Sequence, residues 1–234
     1  MPEDYQTTNN VMESNLTNML LKDLNELLNL HGKKIEDYDL PSLPPNTIDR
    51  DAIPSIIQEE LAIGIPNEDT ESVSKLNNDQ MIAFKTIINV IVQKHSGVFF
   101  VDGLGGTGKT FLYRTLMAIL RSGGEIVLAI ASSGIAATLL PDSRTAHSRF
   151  KIPIDIQPSA ICGIQKQKDL ANLIRVVAAI IWDEASMTNK NCLEALDRSI
   201  QDICSNSPPF GGKILIMGGY FGQVLLVVRK GIKA

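Results

Sequence analysis

The chain has 234 residues, 44% of them hydrophobic, which is ample for a buried core in one large or two small domains. Its longest uninterrupted apolar run, Val176 to Trp182, falls far short of the roughly 18 residues a membrane span needs, and the polar, acidic start is not that of a signal peptide, so neither anchor nor leader is expected. Net charge is -4, yet residues 1–75 hold 5 Lys/Arg against 15 Asp/Glu while residues 76–234 hold 17 against 11, so an acidic extension of net -10 precedes a basic core of net +6.

Three cysteines, Cys162, Cys192 and Cys204, are odd in number and include no Cys-x-x-Cys pair. They suggest neither a disulfide framework nor a zinc site, and a reducing compartment fits best.

In chain order, Leu16, Met19, Leu20, Leu24, Leu27 and Leu28 recur at helical spacing ahead of Gly32, which predicts an amphipathic helix packed on its own core or on a partner. Prolines between Pro41 and Pro45 end that pattern, and a shorter helical stretch with Ile53, Ile56, Ile57 and Leu61 leads to a polar segment at 67–74. The domain boundary is placed near residue 75. A helix through Met81, Phe84, Ile88 and Ile91 then precedes a strand at 98–101, a glycine-rich loop and a helix to about Leu120. Further strands are expected at 126–131, 176–182 and 214–217, each apolar enough to be buried on both faces, with a helix through Leu193, Leu196, Ile200 and Ile203 between the last two. Helices alternating with short apolar strands predict an α/β fold with a parallel sheet flanked by helices, preceded by a helical N-terminal extension.

The strongest chemical signal is Gly103-Leu104-Gly105-Gly106-Thr107-Gly108-Lys109-Thr110, which fits Gly-x-x-x-x-Gly-Lys-Ser/Thr and stands between a predicted strand and a predicted helix. Glycines let successive backbone N–H groups curl toward phosphate oxygens, and the following helix aims its positive end at the same anion. Lys109 would reach the β- and γ-phosphates of ATP, and Thr110 would offer its hydroxyl to Mg²⁺. A glycine turn without a ligand is the alternative, which the flanking strand and helix disfavour. Asp183 and Glu184 follow the 176–182 run, so they emerge at the carboxyl end of a buried strand, where open α/β sheets bind ligands. Asp183 is suited to hold magnesium and Glu184 to activate the attacking water; an acidic helix start is the competing explanation.

These motifs resemble the Pif (petite-integration-frequency) helicases of superfamily 1B, particularly the versions linked to plant Helitron transposons. The likeness covers roughly residues 76–228. It rests on Leu76-Asn77-Asn78-Asp79-Gln80, the loop from Val101 to Thr110, Ser133-Gly134-Ile135-Ala136-Ala137, Arg144-Thr145-Ala146-His147-Ser148-Arg149-Phe150 and Trp182-Asp183-Glu184-Ala185-Ser186-Met187. The segment 21–40 also looks like what precedes the helicase domain in the Helitron-type proteins.

The resemblance implies a RecA-like P-loop NTPase domain, ATP hydrolysis coupled to 5'-to-3' DNA unwinding, roles in repair, recombination and telomere maintenance, and a nuclear location. It also implies that Gln80 reads the adenine edge. Asn77 and Gln80 equally satisfy a capping box, in which Gln80 only closes a helix start, and both roles stay open. It implies that Ser133, Gly134, His147 and Arg149, with Arg144 and Lys151 nearby, contact single-stranded DNA, with Phe150 free to pack or stack; a solvated charge cluster is the bland alternative.

In the segment from Gly218 to Val228, Tyr220 stands where the family has Asp, Gly222 where the plant forms usually have Arg, and Leu226 where Pro is usual. Gln223, expected to sense the γ-phosphate, is kept. The family continues into a second RecA-like domain that supplies transition-state arginines, so this sequence is expected to be a truncated copy, weak or inactive as a motor unless a partner supplies that half. The alternative function is a nucleotide-binding interaction module without turnover. A small-molecule kinase on the same loop would have no use for the motifs between 132 and 151.

Overall fold

The computed structural model describes residues 53–223; the leucine stripe and prolines of the extension, and Leu226, lie outside the described residues, as do the side chains of Asn67, Thr70 and Gln223. Five strands form one parallel sheet in the order β1-β5-β4-β2-β3, where β1 is Gly97–Asp102, β2 Val127–Ala131, β3 Arg144–Thr145, β4 Ala179–Asp183 and β5 Ile214–Gly219. The register aligns Asp102 with Gly219 and Ala131 with Asp183, so the strands finish on one level at their carboxyl ends.

Helix α1 (Ser55–Leu61) and the short α2 (Asn67–Thr70) lead to α3 (Asn78–Val92), and α4 (Lys109–Ser122) follows the glycine loop. Asn77 caps α3, accepting from the Gln80 N–H at 2.9 Å while the Gln80 side chain accepts from the Asn77 N–H at 3.0 Å, a complete capping box. Phe84, Ile87 and Ile91 of α3 and Leu112, Tyr113, Leu116, Met117 and Leu120 of α4 share one core cluster with Val127, Ala129, Ala179, Ile181, Ile214 and Ile216. A strand's period of two sends the alternate residues Leu128, Ile130, Ile180, Trp182 and Leu215 to the other face, and these are also fully buried, so both faces are covered. Burial of each such side chain contributes about 1.5–3 kcal/mol. Two short helices, α5 (Gly134–Ala137) and α6 (Ala146–Phe150), surround β3, and α7 (Asp169–Val176) packs against α8 (Lys190–Cys204).

The structure corrects several expectations. The 176–182 run is not one strand: Val176 ends α7 at 50% exposure, and the strand starts at Ala179. Helix end and strand are joined without a polar break, so the apolar run carries two periods. Strand β1, expected at 98–101, spans Gly97–Asp102 and is the sheet edge, with Val98 and Phe100 exposed. The compact unit that holds the sheet begins at Pro54, so residues 54–75, expected in the extension, pack with it. Residues 54–75 belong to it through two ion pairs: Glu60 with Arg149 at 2.7 Å and Asp69 with Arg114 at 3.1 Å. Strand β3, two residues long, was not foreseen.

Candidate nucleotide site and its neighbouring turns

The glycine loop leaves the end of β1 and enters α4 at Lys109. Gly106 and Gly108 adopt φ of 83° and 84°, which L side chains rarely reach, and a β-carbon at Gly108 would lie 2.4 Å from Gln80 Nε2. The loop is pinned to the sheet by the Gly103 N–H, which donates to the Gly219 carbonyl at 3.2 Å. Thr107 donates its hydroxyl to the Leu104 carbonyl at 2.8 Å, and Lys109 Nζ donates to the carbonyls of Gly103 at 2.5 Å and Leu104 at 3.1 Å. The ammonium is thus curled over its own loop, held by acceptors that a phosphate oxygen can replace. Gly105 is exposed. A cavity of about 670 Å³ opens beside the loop, lined among others by Asn77, Gln80, Phe99, Asp102, Thr107 and Lys109.

Across the intervening β5, Asp183 ends β4 with 3% exposure. Burial raises its pKa above the ordinary carboxylate value; the Glu184 N–H, donating to Oδ1 at 2.9 Å, acts in the opposite direction, the Glu184 charge adds to the rise and the Lys109 charge opposes it. Glu184 sits in the left-handed region at φ 54° and ψ 34°. Thr110 is half-buried, and among the described residues neither its hydroxyl nor the second oxygen of Asp183 has a hydrogen-bond partner. A hydroxyl and a carboxylate facing a phosphate loop are hard oxygen donors of the kind Mg²⁺ takes, so the residues fit that ion. Among the described residues there is no cluster of three His, Cys, Asp or Glu side chains fit for a metal, and the three cysteines are free thiols.

Gln80 is engaged within the protein. Besides its capping role, Nε2 donates to the carbonyls of Thr107 at 3.2 Å and Gly108 at 3.3 Å, which places it against the loop. Ser133 caps α5, its hydroxyl accepting from the Ala136 N–H at 3.2 Å, and Ser133, Gly134 and Ile135 are exposed. His147 is half-buried with Nε2 3.8 Å from Cys192 Sγ.

Arg149 departs from its expected role at the DNA surface. Its side chain is 2% exposed, paired with Glu60 and, at 3.3 Å, with Asp142, so it holds α1 and the 142 turn to α6 instead of facing a ligand. Phe150 is fully buried, which settles packing over base stacking, whereas Arg144 and Lys151 remain exposed. The backbone of Gln223 closes a tight turn after β5, and its side chain lies outside the described residues.

Sequence reasoning missed Glu60 and Asp142 as partners of Arg149. It also missed Ser132, which receives the Trp182 indole N–H at 3.0 Å and donates its hydroxyl to the Glu184 carbonyl at 2.7 Å. A serine beside a strand end, here one of a Ser132-Ser133 pair, gives no periodic signal of such bonds.

A parallel sheet with a phosphate loop after one strand and an Asp-Glu pair two strands away defines a RecA-like P-loop NTPase domain. Residues 75–234 match the family model described as PIF1-like helicase, and the chain belongs to that family. It is 36% identical over 148 residues to the ATP-dependent DNA helicase RRM3 of Saccharomyces cerevisiae, covering 62% of this chain and 20% of that one. It is 30% identical over 134 residues to the ATP-dependent DNA helicase Pif1 of a Psychrobacter species, covering 56% and 20%.

Among solved structures, Bacteroides Pif1 in complex with ADP-AlF3 and single-stranded DNA superposes with a TM-score of 0.53 at 30% identity, over 63% of this chain and 34% of that one. Pif1 from Candida albicans superposes with a TM-score of 0.53 at 27% identity, over 65% and 34%. The chain thus spans about a fifth of the curated relatives' length and about a third of the solved chains. Among the described residues no helix is long and apolar enough to cross a membrane.

Proposed function

We propose that this chain provides the ATP-binding half-site and one single-stranded DNA contact of an ATP-dependent DNA helicase that acts 5'-to-3' in the nucleus, in repair, recombination and telomere maintenance. The observation that carries the reading is that the loop and helix start bearing Lys109 follow β1 while Asp183 ends β4, two strands away in the same parallel sheet, so both stand at the carboxyl ends of its strands. Lys109 exchanges loop carbonyls for β- and γ-phosphate oxygens, Thr110 and Asp183 hold Mg²⁺, and Glu184 orients and deprotonates the attacking water. The metal supplies charge neutralisation between the phosphates. Gln80, already at the loop, turns its amide to the adenine edge, and Gln223 senses the γ-phosphate. DNA runs over the exposed turn at Ser133 and Gly134 and past His147, while a second RecA-like domain supplies the arginines that complete the transition state.

A second reading, a nucleotide-binding module without turnover, draws on Tyr220: a phenol stands where the family pattern has a carboxylate, and its ring fills the space a side chain at 222 would need. Binding of Mg·ADP by calorimetry, in wild type and Lys109→Ala, tests nucleotide recognition, with affinity expected to fall about tenfold or more for a lost charged contact. Unchanged affinity in the variant overturns the site. The rate of ATP hydrolysis with and without single-stranded DNA then separates motor from module.

A further inference from the structure

Strand β2 ends at Ala131, level with Asp183, and the next residue is bonded to all three members of the Trp182-Asp183-Glu184 run. The Ser132 N–H donates to the Asp183 carbonyl at 3.1 Å, its hydroxyl donates to the Glu184 carbonyl at 2.7 Å, and its oxygen accepts from the Trp182 indole N–H at 3.0 Å. Thr188 Oγ1 lies 2.6 Å from the same oxygen. A serine hydroxyl has one proton and two lone pairs, so with the proton given to Glu184, Thr188 must be the donor, and the hydroxyl is saturated.

The bonded residue is also the strained one. Glu184 holds a left-handed backbone that a non-glycine residue keeps only where its surroundings enforce it, and its carbonyl is clamped by the Ser132 hydroxyl and by the Met187 N–H at 3.1 Å. On its other side Ser132 is one peptide from the exposed Ser133-Gly134-Ile135 turn, with Ile135 at 84% exposure. We propose that Ser132 is a positioning residue that transmits strand engagement at the 133–135 turn to the backbone of Glu184, with Trp182 as its built-in reporter. A pull on the turn moves Ser132, and Ser132 cannot move without disturbing the indole and the Glu184 carbonyl together.

The proposal rests on the reading that single-stranded DNA meets this turn, and the test separates the two. Trp182 is the only tryptophan of the chain, so its emission reports one site. An oligothymidylate of about 15 nucleotides is titrated into wild type, Ser132→Ala and Ser132→Thr, following anisotropy of a labelled strand for binding and Trp182 emission with an unlabelled one. The wild type is expected to bind with a change in emission. Ser132→Ala is expected to bind within about threefold of wild type, since the proposed contacts lie on Ser133 and Gly134, but to lose the emission change, and Ser132→Thr, which keeps the hydroxyl, to restore it. A merely structural serine would lower the unfolding midpoint and leave the response in place. Retention of the response in Ser132→Ala, or wild-type binding without any response, overturns the coupling alone. Absence of oligonucleotide binding by the wild type overturns the DNA reading and the coupling with it. Should Ser132→Ala not fold, Ser132→Thr decides: binding without an emission change in that variant also overturns the coupling.

Discussion

Gly218 owes its lack of a side chain to Tyr113: a β-carbon at Gly218 would lie 1.6 Å from the Tyr113 hydroxyl oxygen and 2.7 Å from the ring carbon that carries it. The hydroxyl is buried without a partner among the described residues, and burial first, then the charges of Asp183 and Glu184, push its pKa up, so the phenol stays neutral. Gly218→Ala is expected to destabilise the domain by about 1–3 kcal/mol or more, because neither backbone nor buried ring can yield. Tyr113→Phe removes an unsatisfied polar atom and is expected to be neutral or to stabilise by about 1 kcal/mol. Urea unfolding of the two variants checks both signs, and a Tyr113→Phe protein much weaker than wild type would reveal a hydrogen bond at that hydroxyl.

Asp183 links stability to pH. Its folded pKa is raised by burial above the ordinary 3.8, so the folded chain keeps a proton that the unfolded chain has released. The contribution of this group to stability is therefore highest below 3.8 and declines as pH rises through the folded value, after which it is level. Asp183→Asn removes that decline, stabilises the nucleotide-free domain at neutral pH, and weakens Mg·ADP binding. Thermal melts across pH with and without Mg·ADP measure both effects, and an unchanged melt at neutral pH would count against a buried ionised carboxylate.

The Arg149 cluster predicts where the chain can be cut. Glu60 is buried, and desolvation raises its pKa against the lowering effect of Arg149. Removing one member of such a pair strands a buried charge, at a cost of about 3–5 kcal/mol. Glu60→Ala and Arg149→Ala should each lower the unfolding midpoint sharply. A chain beginning at Pro54 should fold, and one beginning at Leu76, which lacks Glu60 and Asp69, should be much less stable. Equal midpoints for the two truncations would show that residues 54–75 add nothing to the stability of the domain.

Gln80 carries a test of its two roles. Loss of the capping box in Gln80→Ala is expected to cost about 1 kcal/mol whatever it does with nucleotide. Adenine recognition adds a preference for ADP over GDP in wild type that disappears in the variant. Competition binding distinguishes the cases, because a retained preference leaves Gln80 a helix cap alone.

Much of this site was legible because its parts are local. The loop from Gly103 to Thr110 is contiguous, its glycines answer to backbone geometry, and the neighbouring helices show regular spacing in Phe84, Ile91, Leu196, Ile200 and Ile203. The strand carrying Asp183 was ended one residue early, at Trp182, and begun three residues too soon, since Val176 and Ala179 both belong to one apolar run while only the second belongs to the sheet. What stayed hidden depends on pairing across sequence distance. Arg149 looked like a surface cation because its partners Glu60 and Asp142 lie 89 and 7 residues away, and nothing in a run of charges says which are buried. Edge placement of β1 follows from strand order, which local pattern does not encode.

Adjacent residues of a strand face opposite ways, so two consecutive carboxylates at a strand end would ordinarily serve different sides of the sheet. The left-handed turn at Glu184 breaks that parity as soon as the strand is over. Both carboxylates add, after burial, to the rise in the Tyr113 pKa. The pair is also tied together by the Glu184 N–H, which donates to Asp183 Oδ1 at 2.9 Å. A substitution that let residue 184 relax into an extended backbone would separate the two charges without changing either side chain, so the unit that must be kept is the pair together with its turn.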